Sequence, residues 1–198
     1  MLWCEAKRNG DAPTCTMLAR NAFTVGMLVL IHHTHHGYAR SIGSPVCSHK
    51  GVGHGVPVQS GDGGYAIRVQ GGGAALLEAA RMGTPTTVVV KGSIPYKGIL
   101  IQASDSSDEP VGSFARDQLG EGLEVHPSCD YAVTHTIDHA KEPRAEDEFQ
   151  FITPSPLVDG DIIKFKVTLV KDFITWYALE KTFIIGQLDS DDAPADEG

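Results

Sequence analysis

The stretch from Tyr96 to Thr136 restricts the fold of this chain more than any other. It opens with the apolar run Tyr96-Lys97-Gly98-Ile99-Leu100-Ile101-Gln102-Ala103, continues through Gly112-Ser113-Phe114, and closes with Cys129 shortly before Val133-Thr134-His135-Thr136. Each piece reads as a strand or a strand edge, because β-branched and aromatic residues suit a pleated, half-buried surface. Gly98 falls inside the first run, where a glycine marks a bulge or a close neighbour. Asp105-Ser106-Ser107-Asp108-Glu109-Pro110 then breaks the pattern with turn formers. The middle of the chain is therefore expected to be antiparallel β. It gives architecture more readily than chemistry, since no nucleophile, base and orienter stand together in it.

The flanks repeat this grammar. Tyr65-Ala66-Ile67-Arg68-Val69-Gln70 alternates as a strand, Ala74 to Met82 forms two helical turns, and Thr86-Thr87-Val88-Val89-Val90-Lys91 returns to strand. Gly92-Ser93 with Pro95 marks the turn before the central run. Glu148 to Thr153 alternates until Pro154-Ser155-Pro156 stops it. From Asp161 to Val170, Ile163, Phe165, Val167 and Leu169 share one face, and Lys164, Lys166 and Thr168 share the other, which predicts a half-buried strand. Phe173 to Ile185 follows, with Trp176 as the expected core aromatic. About eight short strands separated by turns predict an all-β, immunoglobulin-like antiparallel β-sandwich.

Length and charge exclude several function classes. A chain of 198 residues is long enough for one domain with a real core. Its formal charge of −9 argues against nucleic acid, where affinity rests on Lys and Arg neutralising phosphates. The same acidity argues against direct attack on anionic membranes, which basic amphipathic segments perform.

Three segments are expected. Residues 1–39 read as a leader: after Arg20, the run Ala22 to Ile31 has the length of a signal-peptide core and is too short for a membrane span, and Gly37-Tyr38-Ala39 offers a small-x-small cleavage site. Residues 40–186 form the domain. Residues 187–198, with Asp189, Asp191, Asp192, Asp196 and Glu197, read as an acidic disordered tail. The expected location is extracellular, with no membrane span.

Of the four cysteines, Cys4 and Cys15 lie in the leader, leaving Cys47 and Cys129 in the mature chain as a bridge or as two buried thiols. Neither has a basic or helix-start setting that would activate a thiolate. Gly71-Gly72-Gly73 lacks the Lys-Ser/Thr of a phosphate loop, and no Gly-x-Ser-x-Gly elbow is present. His32, His33, His35 and His36 resemble a chelating tract but fall in the leader, while His49, His54, His126, His135 and His139 are scattered. His135 and His139 stand four apart, a spacing that gathers ligands on a helix and separates them on a strand. The expectation is no catalytic residue, no metal site and no cofactor.

The ordered set of marks resembles the reeler domain family. Tyr96-Lys97-Gly98 with Gln102-Ala103, the triplet Gly112-Ser113-Phe114, and Cys129 ahead of Val133-Thr134-His135-Thr136 carry the resemblance. Cys47 with His54-Gly55, Tyr65-Ala66-Ile67, Gly160 before Phe165 and Val167-Thr168, and finally Trp176-Tyr177 follow in order, so that it spans Cys47 to Ile185. The sequence departs from the family where Met and Pro are usual near Lys50 and Gly53, and where Phe151 and Thr153-Pro154 replace Trp and Ala-Pro. The resemblance implies the sandwich fold and a Cys47–Cys129 disulfide. It also implies structural positions at His54, Tyr96, Gly98, Gly112, Phe114, Thr134, His135 and Trp176, with His54 and His135 hydrogen-bonded. Among reeler proteins it resembles the small secreted defence proteins, which implies non-catalytic binding of microbial cell-wall components or other extracellular glycans or proteins. Gly61 to Gly64 and Asp105 to Glu109 are the expected contact loops. The alternative is a reeler module of a larger matrix protein of the spondin or reelin kind, or of a ferric-chelate-reductase-like membrane protein.

Overall fold

The chain was studied as a computed structural model, which describes residues 43–49 and 55–189. Two antiparallel sheets face each other. One has the strand order β1 (Tyr65–Val69), β2 (Thr86–Tyr96), β7 (Arg144–Ile152) and β4 (Ser113–Phe114). The other has the order β5 (Leu123–Val125), β6 (Ala132–His135), β3 (Gly98–Ser104), β8 (Ile162–Asp172) and β9 (Thr175–Ile184). An 11-residue helix, α1 (Gly72–Met82), and a short one, α2 (Ile137–Lys141), complete the domain. The immunoglobulin-like β-sandwich expected from the sequence is thus present, with nine strands among the described residues.

Period-two alternation builds the core. Ile67, Val88, Val90, Phe149 and Phe151 point inward from the first sheet, and Ile99, Ile101, Val133, Ile163, Phe165, Val167 and Leu169 from the second. A train of rings crosses the interface: Phe114 packs edge-on against Phe149 and Phe151, Phe151 on Phe165 with centroids 4.9 Å apart, and Phe165 on Phe183. Gly112 makes room for this train. Its φ is +64°, and a side chain there would enter the Phe151 ring.

The structure corrects four sequence expectations. First, Gly92 to Pro95 do not turn the chain; they form an irregular extension of β2, with a register break between Lys91 and Tyr96, and the reversal comes at Lys97. Proline lacks an N–H for a regular ladder, and a bulge accommodates it. Second, β8 is covered on both faces over Lys166 and Thr168, which are 5 % and 1 % exposed. Third, Trp176 is buried, as expected, but not between the two sheets. It pairs with Val170 on the outer face of the second sheet, and Tyr177 takes the inward position opposite Leu169. Residues 43–49 and 55–59 contact this outer face, so alternation alone could not place Trp176. Fourth, Gly61–Gly64 and Asp105–Glu109 lie at opposite ends of the sandwich. Gly63 sits against Tyr177, which pairs with Leu169 and through it with Ile99 at the start of β3, whereas Asp105 follows Ser104 at the end of β3. One contact surface cannot contain both loops.

Helix α1 packs on β1 and β9, the edge strands of the two sheets. Ala74 N–H donates to the Gln187 carbonyl at 2.8 Å and Gly186 N–H to the Gly73 carbonyl at 3.0 Å. A Cβ on Gly73 would strike the Ile184 carbonyl, which is backbone and cannot rotate away. Gly73→Ala is therefore expected to destabilise by about 1–3 kcal/mol through overpacking. Thermal unfolding of the variant checks this.

Candidate functional site

Two constellations gather Cys47, Cys129, Thr134 and Trp176, and Tyr96, Gly98 and His135, while Gly112 and Phe114 stay in the aromatic core. The first fastens the N-terminal segment to the outer face of the second sheet. Cys47 and Cys129 form a disulfide with Cα atoms 6.1 Å apart, across a separation of 82 residues. Beside it, buried His126 accepts from Ser128 N–H through Nδ1 at 3.1 Å and presents Nε2 to the Ser44 carbonyl at 2.8 Å. A ring carrying its proton on Nε2 satisfies both partners. The Thr134 hydroxyl accepts from Ser44 N–H at 2.8 Å and donates to the Ile99 carbonyl, so it joins segment, β6 and β3. Thr168 donates to the His49 carbonyl at 2.6 Å, and Trp176 Nε1 to the Val56 carbonyl at 2.9 Å. His54 lies outside the described residues. Cys47, His126 and Cys129 place three ligand atoms within 4.8 Å of one another, but the two sulfurs are spent on each other as a disulfide.

The second constellation lies at the end of the sandwich where β3 begins. Asp147 follows the inward parity of Phe149 and Phe151, which carries a carboxylate between the sheets. Tyr96 donates to its Oδ2 at 2.7 Å, and His139 Nε2 approaches the same oxygen at 2.8 Å. Arg144 reaches Oδ1 at 3.4 Å and also donates to the Glu121 carbonyl. The His139 ring stacks on Tyr96 and directs Nδ1 at the Lys97 carbonyl. Thr136, the end of the sequence motif, accepts from Asp138 N–H and caps α2, the helix that delivers His139. The strand-to-helix change brings His135 and His139 to a ring separation of 6.3 Å, although they do not share an element. His135 Nδ1 accepts from Ile99 N–H at 3.2 Å, and its ring fills the place of a side chain on Gly98. Gly98 is thus a site of close approach rather than a bulge.

Above this network lies a cleft of about 460 Å³ lined by Glu121, Gly122, Asp138, His139, Lys141, Glu142, Pro143 and Arg144. The side chains of His139 and Asp147 are 0 % and 2 % exposed, so their acid–imidazole pair is closed to a substrate in the cleft. Burial first, and then the Asp147 carboxylate, push the Tyr96 phenol well above its ordinary value, which keeps it a hydrogen donor. The arrangement positions α2 and the β2–β3 connection. The period-two pattern held the signal for it: Asp147 stands at an inward position of β7, where an acid requires partners.

At the opposite end, Asp108 receives Lys166 at 2.8 Å and Lys164 at 2.9 Å. The hydrogen bonds from Lys166 and Lys164 hold the Asp108 carboxyl well below the usual carboxylate range, and the Asp108 hydrogen bond raises Lys164. A carboxylate with a depressed folded pKa contributes stability above its unfolded value, about 4, and loses it as pH falls through the folded value. The raised Lys164 contributes below its unfolded value and loses its share as pH rises past it. Asp108→Asn is therefore expected to be less stable than the wild type near neutrality, with the difference vanishing in acid. Urea unfolding at a series of pH values checks this; Asp108 is solvent-exposed, so a small effect is expected.

Among the described residues, no helix is long and apolar enough to cross a membrane. Comparisons with known proteins agree with the geometry. Fragment 1 of the human F-spondin reeler domain aligns with a TM-score of 0.51 and 18% identity, covering 66% of this chain and 94% of that one. A second fragment of it aligns with the same score and 19% identity, covering 71% and 99%. The Reelin-N domain of F-spondin gives 0.51 and 18%, covering 66% and 91%. These likenesses show the fold. A search of curated proteins finds no match. The reeler domain profile matches residues 45–191, the span that holds the disulfide, the motif strands and the Asp147 network, and the chain belongs to the reeler domain family.

Proposed function

We propose that this chain is a secreted defence protein that binds microbial surface components without catalysis. The observation that carries the reading is the end of the sandwich where β3 begins. There the Gly61–Gly64 loop approaches the β8–β9 hairpin, whose tip residues Phe173 and Ile174 are 59 % and 63 % exposed. Large apolar side chains held on a rigid hairpin beside a glycine-rich loop suit contact with carbohydrate rings or wall polymers. The disulfide supports an oxidising, extracellular setting. The likeness to F-spondin domains favours a second reading, a reeler module acting in extracellular matrix.

Co-sedimentation of the oxidised protein with whole bacteria and fungi, and with immobilised matrix, separates the two. Saturable binding to microbes that Phe173→Ser/Ile174→Ser weakens about tenfold, the effect of removing apolar anchors, fits the first reading. Binding to matrix alone fits the second.

A further inference from the structure

The two sheets leave a gap at one side, between the edge strands β1 and β9. Helix α1 closes it at one end, where Gly73 meets Ile184. At the other end Gln59 N–H donates to the Trp176 carbonyl at 3.0 Å, so residues 56–59 already lie on the free edge of β9. Between these stops is a groove of about 340 Å³ lined by Gly61, Asp62, Tyr65, Ala66, Ile67 and Ala178 to Lys181.

Main-chain groups alternate along an antiparallel strand. The Trp176 carbonyl faces Gln59, and the Ile184 carbonyl accepts from Gln187 N–H, so the even-numbered residues of β9 turn their N–H and C=O groups away from β8. Ala178 and Glu180 share that parity, and no described strand pairs with β9 there. The groove floor is apolar, formed by Ile67 and Leu179. Its rim is acidic. Asp62 and Glu180 are exposed, while Lys181 is tied to Asp189 at 3.2 Å.

We propose that this edge binds an extended segment of a partner protein as an added strand beside β9, in line with the seat of Gln59. Main-chain bonds to Ala178 and Glu180 supply the pairing. Alternate apolar side chains enter the groove, and basic ones meet Glu180 and Asp62. The site shares the Gly61–Gly64 loop with the proposed recognition end but uses neither Phe173 nor Ile174.

The test uses the full, oxidised chain and a fluorescein-labelled heptapeptide of alternating lysine and valine, followed by anisotropy. Saturable binding is expected. An analogue N-methylated at every second amide keeps charge and side chains but loses donors, and should bind at least about tenfold more weakly. Ala178→Pro removes one edge N–H, and Glu180→Lys reverses the rim charge; each should cost a similar factor. Circular dichroism checks their folding, and Glu180→Lys serves if the proline variant does not fold. Equal affinity for both peptides would reduce the interaction to charge attraction and overturn the proposal, as would no binding. Sedimentation showing a dimer that Ala178→Pro dissolves would overturn it too, making a second copy the occupant.

Discussion

Replacing both Cys47 and Cys129 with alanine is expected to destabilise the domain by about 4–5 kcal/mol, the chain-entropy contribution of a cross-link closing a loop of this length. The loss extends beyond entropy of the unfolded chain. The bond fastens residues 43–49 over β6 and β8, where Thr134 and Thr168 each hold a main-chain partner from the segment. If the segment lifts, Leu100 and Ala132, packed around the disulfide, gain water contact. Urea unfolding of the double variant should show the midpoint fall. Thr168→Val should lose about 1 kcal/mol in the oxidised protein and much less in the alanine background, because the hydroxyl then has no docked carbonyl to meet.

Asp147→Ala should be the most damaging single substitution at the Tyr96 end, at about 3–5 kcal/mol. Truncation leaves the Tyr96 hydroxyl, the His139 imidazole and part of the Arg144 guanidinium without the acceptor they share. Tyr96→Phe removes one donor and should cost about 1–2 kcal/mol. Within Asp147→Ala the same Tyr96→Phe change should cost little or even help, since the hydroxyl is already unpaired. A double-mutant cycle by chemical denaturation measures this coupling.

The fold was legible because its strands obey one rule. Ile163, Phe165, Val167 and Leu169 on β8, and Phe149 and Phe151 on β7, needed only a period of two to be placed inside. That rule fails where a third layer covers the sandwich. Lys166, Thr168 and Trp176 stand on an outer face that looks solvated in sequence; Thr168 and Trp176 meet residues more than a hundred positions away, His49 and Val56, and Lys166 meets Asp108. Asp147 itself followed the inward parity of β7, but its partners were illegible for a related reason. His139 arrives on a helix of five residues, too short for a periodic signal, and Tyr96 and Lys97 come from the end of β2 and its link to β3, beyond the register break. The placement of Gly98 under His135 was half legible: the glycine announced a close neighbour but not its identity. The two expected contact loops were separated by topology, since β3 runs from one end of the sandwich to the other between them.

Extracellular recognition of microbial surfaces without catalysis, as proposed above, is decided by one binding isotherm. The oxidised protein is titrated with purified bacterial and fungal wall polysaccharides. Saturable binding that falls at least about tenfold in Phe173→Ser/Ile174→Ser, with the Cys47–Cys129 bond and the fold intact, is the predicted result. No binding to any wall polysaccharide by the intact protein would contradict the claim.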